Sequence, residues 1–304
     1  MSAVRLTSLL IPAVLPVVAL VELGLAFWSA RRAPRFDDYA ALVEPIDRLQ
    51  RENELVVMAP RWAEPMLRRA LGYEHMPLRD VGRADLEGHR TALEVSMLGE
   101  RAPELAGWRE LESHELGEFT VRRLENPAAR VPVVDFVDAL RRAEVRTEAG
   151  ACAWSERAQL SSGGLGGHPT FPRQRFLCPG SPFFHAGVTV IADEEFVARR
   201  CIWAHPPARG ELSIRYPKVK LGNVLVGHGG IYWMVERERA GAPVEIVVRV
   251  DGKRIGNYIH ADGDGWSRFE IPLGDHAGKT SDVEFAVSSP DHEHRHFCFE
   301  ARSL

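Results

Sequence analysis

The chain contains 304 residues, and its 38 lysines and arginines nearly balance its 42 aspartates and glutamates, for a formal net charge of −4. This balance creates no strongly basic surface, so we expect no nucleic-acid partner. The length is sufficient for an N-terminal segment followed by two domains that each bury a core of their own.

The amino terminus carries an almost wholly apolar stretch over residues 6–28. As a helix, this stretch would reach about 30 Å, which matches the hydrocarbon thickness of a bilayer. We therefore expect residues 1–35 to be a membrane anchor. A cleaved signal peptide is the alternative, although cleavage after Ala30 would place Trp28 where a small residue is preferred.

The orientation of the body relative to the membrane rests on two opposing signals. Arg31, Arg32 and Arg35 follow the apolar stretch, and the positive-inside rule then favours a cytoplasmic body. The even count of four cysteines instead favours an oxidising compartment. We predict a single-pass membrane protein with an extracytoplasmic body, because long domains can override the charge rule.

Residues 36–145 alternate between helix and strand patterns, which predicts a small α/β domain with parallel pairing. The predicted elements are a helix over 36–53, a strand over 54–60, a helix over 62–72, a strand over 91–98, a helix over 102–111, a strand over 117–127 and a helix over 133–143. The pattern is that of a Rossmann-like half-domain without the glycine-rich turn that binds phosphate.

Residues 146–180 are rich in glycine and proline and predict a connecting loop with little helix or strand. Cys152 and Cys178 lie within this loop region. A disulfide between them would stabilise the fold by roughly 3 kcal/mol, because it constrains the unfolded chain. The alternative is two free, half-buried thiols.

Residues 181–304 contain short β-rich runs separated by turns, a rhythm that predicts a jelly-roll-like β-sandwich. Asp251 and Gly252, between two such runs, are a strong hairpin signal. Cys201 lies in an early strand and Cys298 in the last one. A disulfide between these strands would fasten the sheet, and two unpaired thiols are the alternative.

One loop of the predicted sandwich carries potential calcium ligands. His260, Asp262 and Asp264 alternate with small residues there, and acids spaced by glycines supply oxygen ligands in calcium loops. No glutamate completes a twelve-residue calcium loop. The alternative is a glycine-rich turn whose Asp side chains bond their own backbone.

A second segment suggests zinc. His292, His294 and His296 recur at every second position near the carboxyl terminus. In an extended strand their imidazoles would share one face, which suits zinc if a further donor joins them. The alternative is an exposed hairpin tip. Calcium and zinc are thus the only cofactors that the sequence suggests.

Aromatic side chains are concentrated in the predicted sandwich, and they suggest a sugar-binding surface. Sugar rings stack their C–H faces on such side chains, while acidic side chains accept hydrogen bonds from the hydroxyl groups. Ordinary core packing is the alternative. The candidate ligand-binding residues are Trp233, Tyr258, His260, Asp262 and Trp266.

The carboxyl-terminal part resembles the galactose-binding-like jelly rolls, a class that includes many carbohydrate-binding modules. The segments that carry this resemblance are DGKRIG, GWSRFEIPL and FCFEA. The amino-terminal part is similar to the extracytoplasmic region of some lipid-linked-sugar membrane glycosyltransferases, through ENELVVMAPRWAEP, TALEVSML and GEFTVRRLENP. The chain lacks the many-helix catalytic core of those enzymes, so this resemblance implies no catalytic residue.

These observations favour a membrane-anchored, extracytoplasmic accessory protein that binds envelope glycan or a protein partner during surface polysaccharide or glycoprotein assembly. The motifs GxSxG and CxxC are missing from the sequence, so no catalytic residue is predicted. Two alternatives stay open. One is a metal-assisted hydrolase of envelope sugars that uses His292, His294 and His296, and the other is a structural subunit of a membrane complex.

Overall fold

The computed structural model describes residues 3–32, 34–159, 171–180 and 184–304. Side chains are described throughout these ranges except at residues 3–13, 29–32 and 78. Most of the described secondary structure is β, with strands arranged in three sheets and a few helices around them.

The first helix, α1, covers Ala3–Arg32. Within the residues whose side chains the structure describes, no helix combines the length and the apolar character needed to cross a bilayer. The prediction of a single-pass membrane protein, anchored through residues 6–28, is therefore wrong. Residues 6–13 of that stretch have their side chains outside the described part of the chain.

Residues 36–125 form a mixed four-stranded sheet with helices packed on it. The elements are α2 (Phe36–Ala40), α3 (Val43–Leu49), β1 (Leu55–Ala59), α4 (Glu64–His75), α5 (Leu78–Val81), β2 (Thr91–Met97), β3 (Arg109–Leu116) and β4 (Phe119–Glu125). The strand order is β1-β2-β4-β3, with β1 parallel to β2 and the other two pairs antiparallel. The Rossmann-like classification stays a prediction.

This sheet is apolar on both faces, and β1 is buried along its whole length as a result. Side chains of α3 and α4 cover one face of it. The predicted helix over 102–111 is instead a single 3₁₀ turn, Pro103–Leu105, followed by β3. Gly107 lies between them at φ +82°, a left-handed conformation that ends helical backbone.

Residues 134–303 form two sheets that pack face to face, which confirms the predicted β-sandwich. The elements are β5 (Val134–Asp135), β6 (Glu144–Thr147), β7 (Gly150–Ala151), β8 (Ala153–Ser155), β9 (Arg175–Leu177), β10 (His185–Ala192), β11 (Ala198–Ala204), β12 (Leu212–Lys220), β13 (Val224–Ile231), α6 (Trp233–Glu236), β14 (Val244–Val250), β15 (Lys253–His260), β16 (Ser267–Pro272), β17 (Thr280–Ser288) and β18 (Phe297–Ser303). One sheet has the order β16-β13-β18-β11-β10-β9-β8, with β5 also paired to β18, and the other has the order β15-β14-β17-β12-β6-β7.

Alternation along the strands points one face of each sheet into a shared core. The buried side chains of β14 are Val244, Ile246, Val248 and Val250. Across the sandwich, the ring centroids of Phe285 on β17 and Phe299 on β18 lie 5.2 Å apart. The two sheets are therefore held together by one continuous apolar cluster.

The segment 133–143, predicted as an amphipathic helix, is instead β5 followed by a 3₁₀ turn. β5 pairs with β18, and Asp135 then caps the turn that follows, because its Oδ1 accepts hydrogen bonds from the backbone N–H groups two and three residues later, at 2.8 and 3.2 Å. Phe136 then enters the sandwich core, where its carbonyl accepts a 2.8 Å hydrogen bond from the Tyr216 hydroxyl.

The predicted connecting loop over residues 146–180 contributes the short strands β7, β8 and β9 to the edges of the two sheets. Strands of two or three residues are too short for a two-residue period to be recognised in a sequence. Residues 160–170 of this region lie outside the described part of the chain.

Both predicted disulfides are present. Cys152 is bonded to Cys178 with an S–S distance of 2.02 Å, and Cys201 is bonded to Cys298 at 2.06 Å. The second bridge joins β11 and β18, which are neighbours in one sheet, and both of its residues are fully buried.

Removal of the Cys201–Cys298 disulfide is expected to destabilise the protein more than removal of the Cys152–Cys178 disulfide. The two bridges close sequence separations of 97 and 26 residues. Because removal of a bridge restores entropy to the unfolded chain, we expect the free energy of unfolding to fall by about 4.7 and about 3.5 kcal/mol, respectively. Urea unfolding of the Cys201→Ala/Cys298→Ala and Cys152→Ala/Cys178→Ala proteins measures both, and a larger loss in the second protein would contradict the prediction.

Candidate functional site

A cleft of about 280 Å³ opens between two turns of the sandwich. One turn joins β10 to β11 over residues 193–197, and the other joins β15 to β16 over residues 261–266. We call this space the loop cleft. Its lining residues are Asp193, Glu194, Glu195, Arg199, Gly263, Asp264, Gly265 and Trp266.

The β10–β11 turn is held in shape by Asp193, which is only 2% exposed. Its Oδ1 accepts hydrogen bonds from the backbone N–H groups of Glu195 at 3.0 Å and Val197 at 2.8 Å, and its Oδ2 accepts one from Arg199 Nε at 2.8 Å. Phe196 has φ +61° in this turn and is 58% exposed. A bulky residue rarely adopts a left-handed backbone, so these hydrogen bonds hold an unfavourable conformation that presents the ring to solvent.

Phe196 belongs to an aromatic platform next to the loop cleft. The centroids of its ring and of the Trp233 ring on α6 lie 4.9 Å apart. The Arg237 guanidinium lies over both rings, 4.4 Å from the Phe196 centroid and 5.6 Å from the Trp233 centroid. Trp233, a predicted ligand-binding residue, therefore packs on the turn that borders the cleft.

Glu236, the last residue of α6, anchors the β15–β16 turn. It is fully buried, and its Oε1 accepts hydrogen bonds from the backbone N–H groups of Gly265 at 2.8 Å and Gly263 at 3.3 Å. These glycines have φ values of +64° and +94°, which a residue with a side chain adopts only under strain. The second oxygen, Oε2, has no hydrogen-bond partner within the described residues. Glu236 thus sets the shape of one wall of the loop cleft.

Tyr258 and His260 belong to the same buried network as Glu236. His260 Nε2 lies 3.1 Å from Glu236 Oε1, and His260 Nδ1 lies 3.0 Å from the Tyr258 hydroxyl. That hydroxyl also lies 2.5 Å from Ser267 Oγ, and burial raises the pKa of Tyr258 above its ordinary value. The structure therefore places these two predicted ligand residues beneath the turn, as supports for it.

The two predicted acids of this loop have different partners. The side chain of Asp262 is 5% exposed, with Oδ1 2.6 Å from Arg295 Nη1 and Oδ2 accepting a 2.8 Å hydrogen bond from the Gly241 N–H. Asp264 is exposed, lines the cleft and accepts a 2.8 Å hydrogen bond from the Ala261 N–H, as in the glycine-rich-turn interpretation. In the described part of the chain, no group of three or more His, Cys, Asp or Glu residues is placed to hold a metal ion. Calcium and zinc binding stay predictions.

Trp266 forms one wall of the loop cleft. The Arg199 guanidinium lies 5.9 Å from its ring centroid, and the His228 ring is nearly parallel to it at 6.4 Å. Gly230 makes room for the indole, because a Cβ there would approach the ring to 2.8 Å. The indole Nε1 is buried and has no hydrogen-bond partner among the residues that are described. Ring contacts therefore orient Trp266.

The three histidines near the carboxyl terminus do not lie on one face of a strand. Residues 291–296 form a turn before β18, and His294 is exposed there with φ +59°. His292 and His296 instead contact His205, with ring centroids 6.3 and 5.8 Å from it. The left-handed residue breaks the two-residue period that the strand interpretation required.

Sequence reasoning missed several residues of the cleft. The run Asp193–Phe196 follows a strand, and an acid at that point signals a side-chain-capped turn. Nothing local indicates that Phe196 is the left-handed residue, or that Glu236 on a separate helix lies under the glycines of the second turn.

Comparisons with known proteins give no family. No protein-family model and no curated protein matches the chain.

Several solved structures show a weak likeness. The CBM51-2 and INT domains of Clostridium perfringens ZmpB match with 12% identity and a TM-score of 0.34, over 68% of this chain and 46% of that one. The tandem CBM51 modules of Sp3GH98, the family 98 glycoside hydrolase from Streptococcus pneumoniae SP3-BS71, match with 13% identity and a TM-score of 0.29, over 63% of this chain and 56% of that one. The CBM36-1 domain of a multidomain xylanase from the hindgut metagenome of Trinervitermes trinervoides matches with 8% identity and a TM-score of 0.22, over 34% of this chain and 73% of that one. At these scores the likenesses carry no argument about function.

Replacement of Glu236 by alanine is expected to destabilise the sandwich by about 3 kcal/mol or more, because it leaves His260 and two backbone N–H groups buried without their acceptor. Glu195→Ala is the matched control, since Glu195 lines the same cleft but is exposed. We expect that control to change the free energy of unfolding by less than about 0.5 kcal/mol. Urea unfolding measures both, and equal effects would contradict the anchoring role of Glu236.

His205 is expected to make the free energy of unfolding depend on pH. Burial lowers its pKa from 6.5 to about 4, although the hydrogen bond from its ring to the Pro206 carbonyl acts to raise that pKa. Only the unfolded chain then binds a proton between these values, so the free energy of unfolding falls as pH decreases from 6.5 to about 4.

The His205→Gln protein should lose less stability over this pH range than the parent protein, and His294→Gln, at an exposed position, should lose as much as the parent. Denaturant unfolding at a series of pH values measures the difference. Parallel curves for His205→Gln and the parent would contradict the prediction.

Proposed function

We propose that this protein binds glycan through the loop cleft and the adjacent aromatic platform of Phe196 and Trp233. The observation that carries the proposal is Phe196: a bulky ring in a left-handed turn, 58% exposed, beside a cleft whose wall is Trp266. Strained residues that expose apolar surface are concentrated at functional sites.

The chemistry of the cleft suits a polyhydroxylated ligand. Aromatic faces offer a surface on which the C–H groups of a sugar ring stack, and carboxylates accept hydrogen bonds from its hydroxyl groups. Glu195 and Asp264 are exposed acids that line the same cleft as the Trp266 ring. Stacking and hydrogen bonding are therefore available side by side.

The cleft is held in place before a ligand arrives. Asp193 supports one turn and Glu236 the other, each through hydrogen bonds to backbone N–H groups. A pre-shaped site avoids the entropy cost of ordering two turns on binding. This rigidity supports the binding of a specific glycan over non-specific adhesion.

The two disulfides support an oxidising compartment, outside the cytoplasm. In that setting, the glycan would belong to the cell surface or to secreted glycoproteins. We further propose an accessory role in the assembly of such polymers, in which the protein holds the glycan and other proteins carry out the chemistry.

A glycan array followed by calorimetric titration of the best ligand tests the proposal. We expect Trp266→Ala and Phe196→Ala each to weaken binding by up to roughly tenfold, since one stacked aromatic contact contributes about 0.5 to 1.5 kcal/mol and about 1.4 kcal/mol corresponds to tenfold. Trp62→Ala is the matched control, because Trp62 is 67% exposed and lies in the N-terminal α/β part.

The control should bind as tightly as the parent protein. The proposal fails if no glycan binds, or if the ligand binds equally well to the parent, Trp266→Ala and Phe196→Ala proteins.

A further inference from the structure

A second cavity, of about 250 Å³, lies where the α/β part meets the sandwich. Residues 79–89, after α4, line one side of it, and Asp135, Asp138, Glu300 and Arg302 of the sandwich line the other. We call this space the junction cleft. Its lining is rich in charged groups, in contrast to the aromatic wall of the loop cleft.

Burial of so many charges requires that most of them be paired. The side chain of Arg302 is 9% exposed, with Nη2 2.6 Å from Asp85 Oδ2 and Nε 3.3 Å from Glu300 Oε2. Glu300 Oε1 lies 2.6 Å from His228 Nδ1. Burial lowers the pKa of Arg302, but Glu300 and Asp85 raise it further, above the ordinary value. These pairs form a fixed, neutralised wall.

Arg83 makes a looser ion pair than Arg302. Its side chain is 21% exposed, Nη1 donates to the Asp80 carbonyl, and its ion pair with Glu104 is 3.5 Å long. Charge-assisted hydrogen bonds are normally 2.7 to 2.9 Å, so this guanidinium lacks a close counter-charge from Glu104. Burial lowers the pKa of Arg83, which reflects the cost of keeping that charge out of water.

His89 lines the same cavity. Its pKa is lowered to about 4, first by burial and then by the nearby Arg83 and Arg302 guanidinium groups. Asp85 acts in the opposite direction but is outweighed. Two guanidinium groups therefore act on the space beside His89.

The sandwich side supplies acceptors for hydroxyl groups. Asp135 lines the cavity, and its pKa is raised by burial and then by the neighbouring Asp138. Its Oδ1 is used by two backbone N–H groups. A carboxyl oxygen accepts hydrogen bonds from the hydroxyl groups of a ligand.

We propose that the junction cleft binds a small polyhydroxylated anion, with its anionic group on Arg83 and its hydroxyl groups on Asp135. The planar guanidinium matches the two oxygens of a carboxylate or phosphate group. The volume of about 250 Å³ suits a single sugar unit rather than a chain. The class is therefore an acidic monosaccharide, either a uronic acid or a sugar phosphate.

Calorimetric titration of the purified full-length protein with glucuronate, glucose 6-phosphate, glucose and inorganic phosphate tests this proposal. We expect at least one of the two acidic sugars to bind and to outcompete both glucose and phosphate. Arg83→Gln and Asp135→Asn should each weaken that binding by about tenfold or more. Arg48→Gln is the control, because Arg48 is a surface residue with 68% of its side chain exposed, and it should change nothing.

A second readout uses the unmodified protein and does not depend on whether the variants fold. An anion bound beside His89 should raise the pKa of that residue above about 4, as followed by NMR of its ring during a pH titration with and without the acidic sugar. A purely structural role for Arg83 would leave this pKa unchanged on addition of sugar.

The proposal is overturned if neither acidic sugar binds, if glucose or phosphate binds as tightly, or if binding leaves the pKa of His89 where it was. Phe196→Ala should leave this binding intact, since Phe196 belongs to the aromatic platform beside the loop cleft. The two sites are thereby tested independently.

Discussion

The buried carboxylate of Glu236 is the contact on which the loop cleft depends. It accepts hydrogen bonds from two glycine N–H groups of the β15–β16 turn and lies beside His260, which in turn contacts the Tyr258 hydroxyl. A buried carboxylate without such partners would be strongly unfavourable, so the turn and the acid stabilise each other. Asp193 plays the same part in the opposing turn, where it holds the strained Phe196. The buried acids Asp193 and Glu236 therefore hold the two turns that carry Phe196 and Trp266.

The two clefts divide the chemistry of recognition between them. The loop cleft offers aromatic faces with acids at its lining, which suits stacking on a neutral ring. The junction cleft offers the partly buried guanidinium of Arg83 and the carboxyl group of Asp135 between the two parts of the chain, which suits a small charged ligand. The ligands proposed for the two clefts therefore differ in charge and in size.

The features that could be predicted from the sequence are those that depend on a local residue pattern or on the pairing of cysteines. Alternation and turn spacing predicted the β-sandwich, and both cysteine pairs are bonded as expected. Trp266 was predicted as a ligand residue, and the structure places it in the cleft wall. The anchor prediction rested on length and apolar composition over residues 6–28, and the structure contradicts it.

The features that sequence reasoning missed arise from contacts between distant segments. Glu236 and the glycines at 263 and 265 are separated in the chain and meet only when α6 packs near the β15–β16 turn. In place of the helix expected over 133–143, the chain forms β5, which pairs with β18 from a distant part of the sequence. Such long-range contacts leave no periodic signal in the sequence.

The most direct measurement is NMR of isotope-labelled protein titrated with the tightest-binding glycan. We expect a saturable shift of the Trp266 indole N–H signal, together with sugar-to-ring proton contacts at Phe196. Saturable shifts confined to other parts of the protein, with Trp266 and Phe196 unchanged, would contradict this expectation.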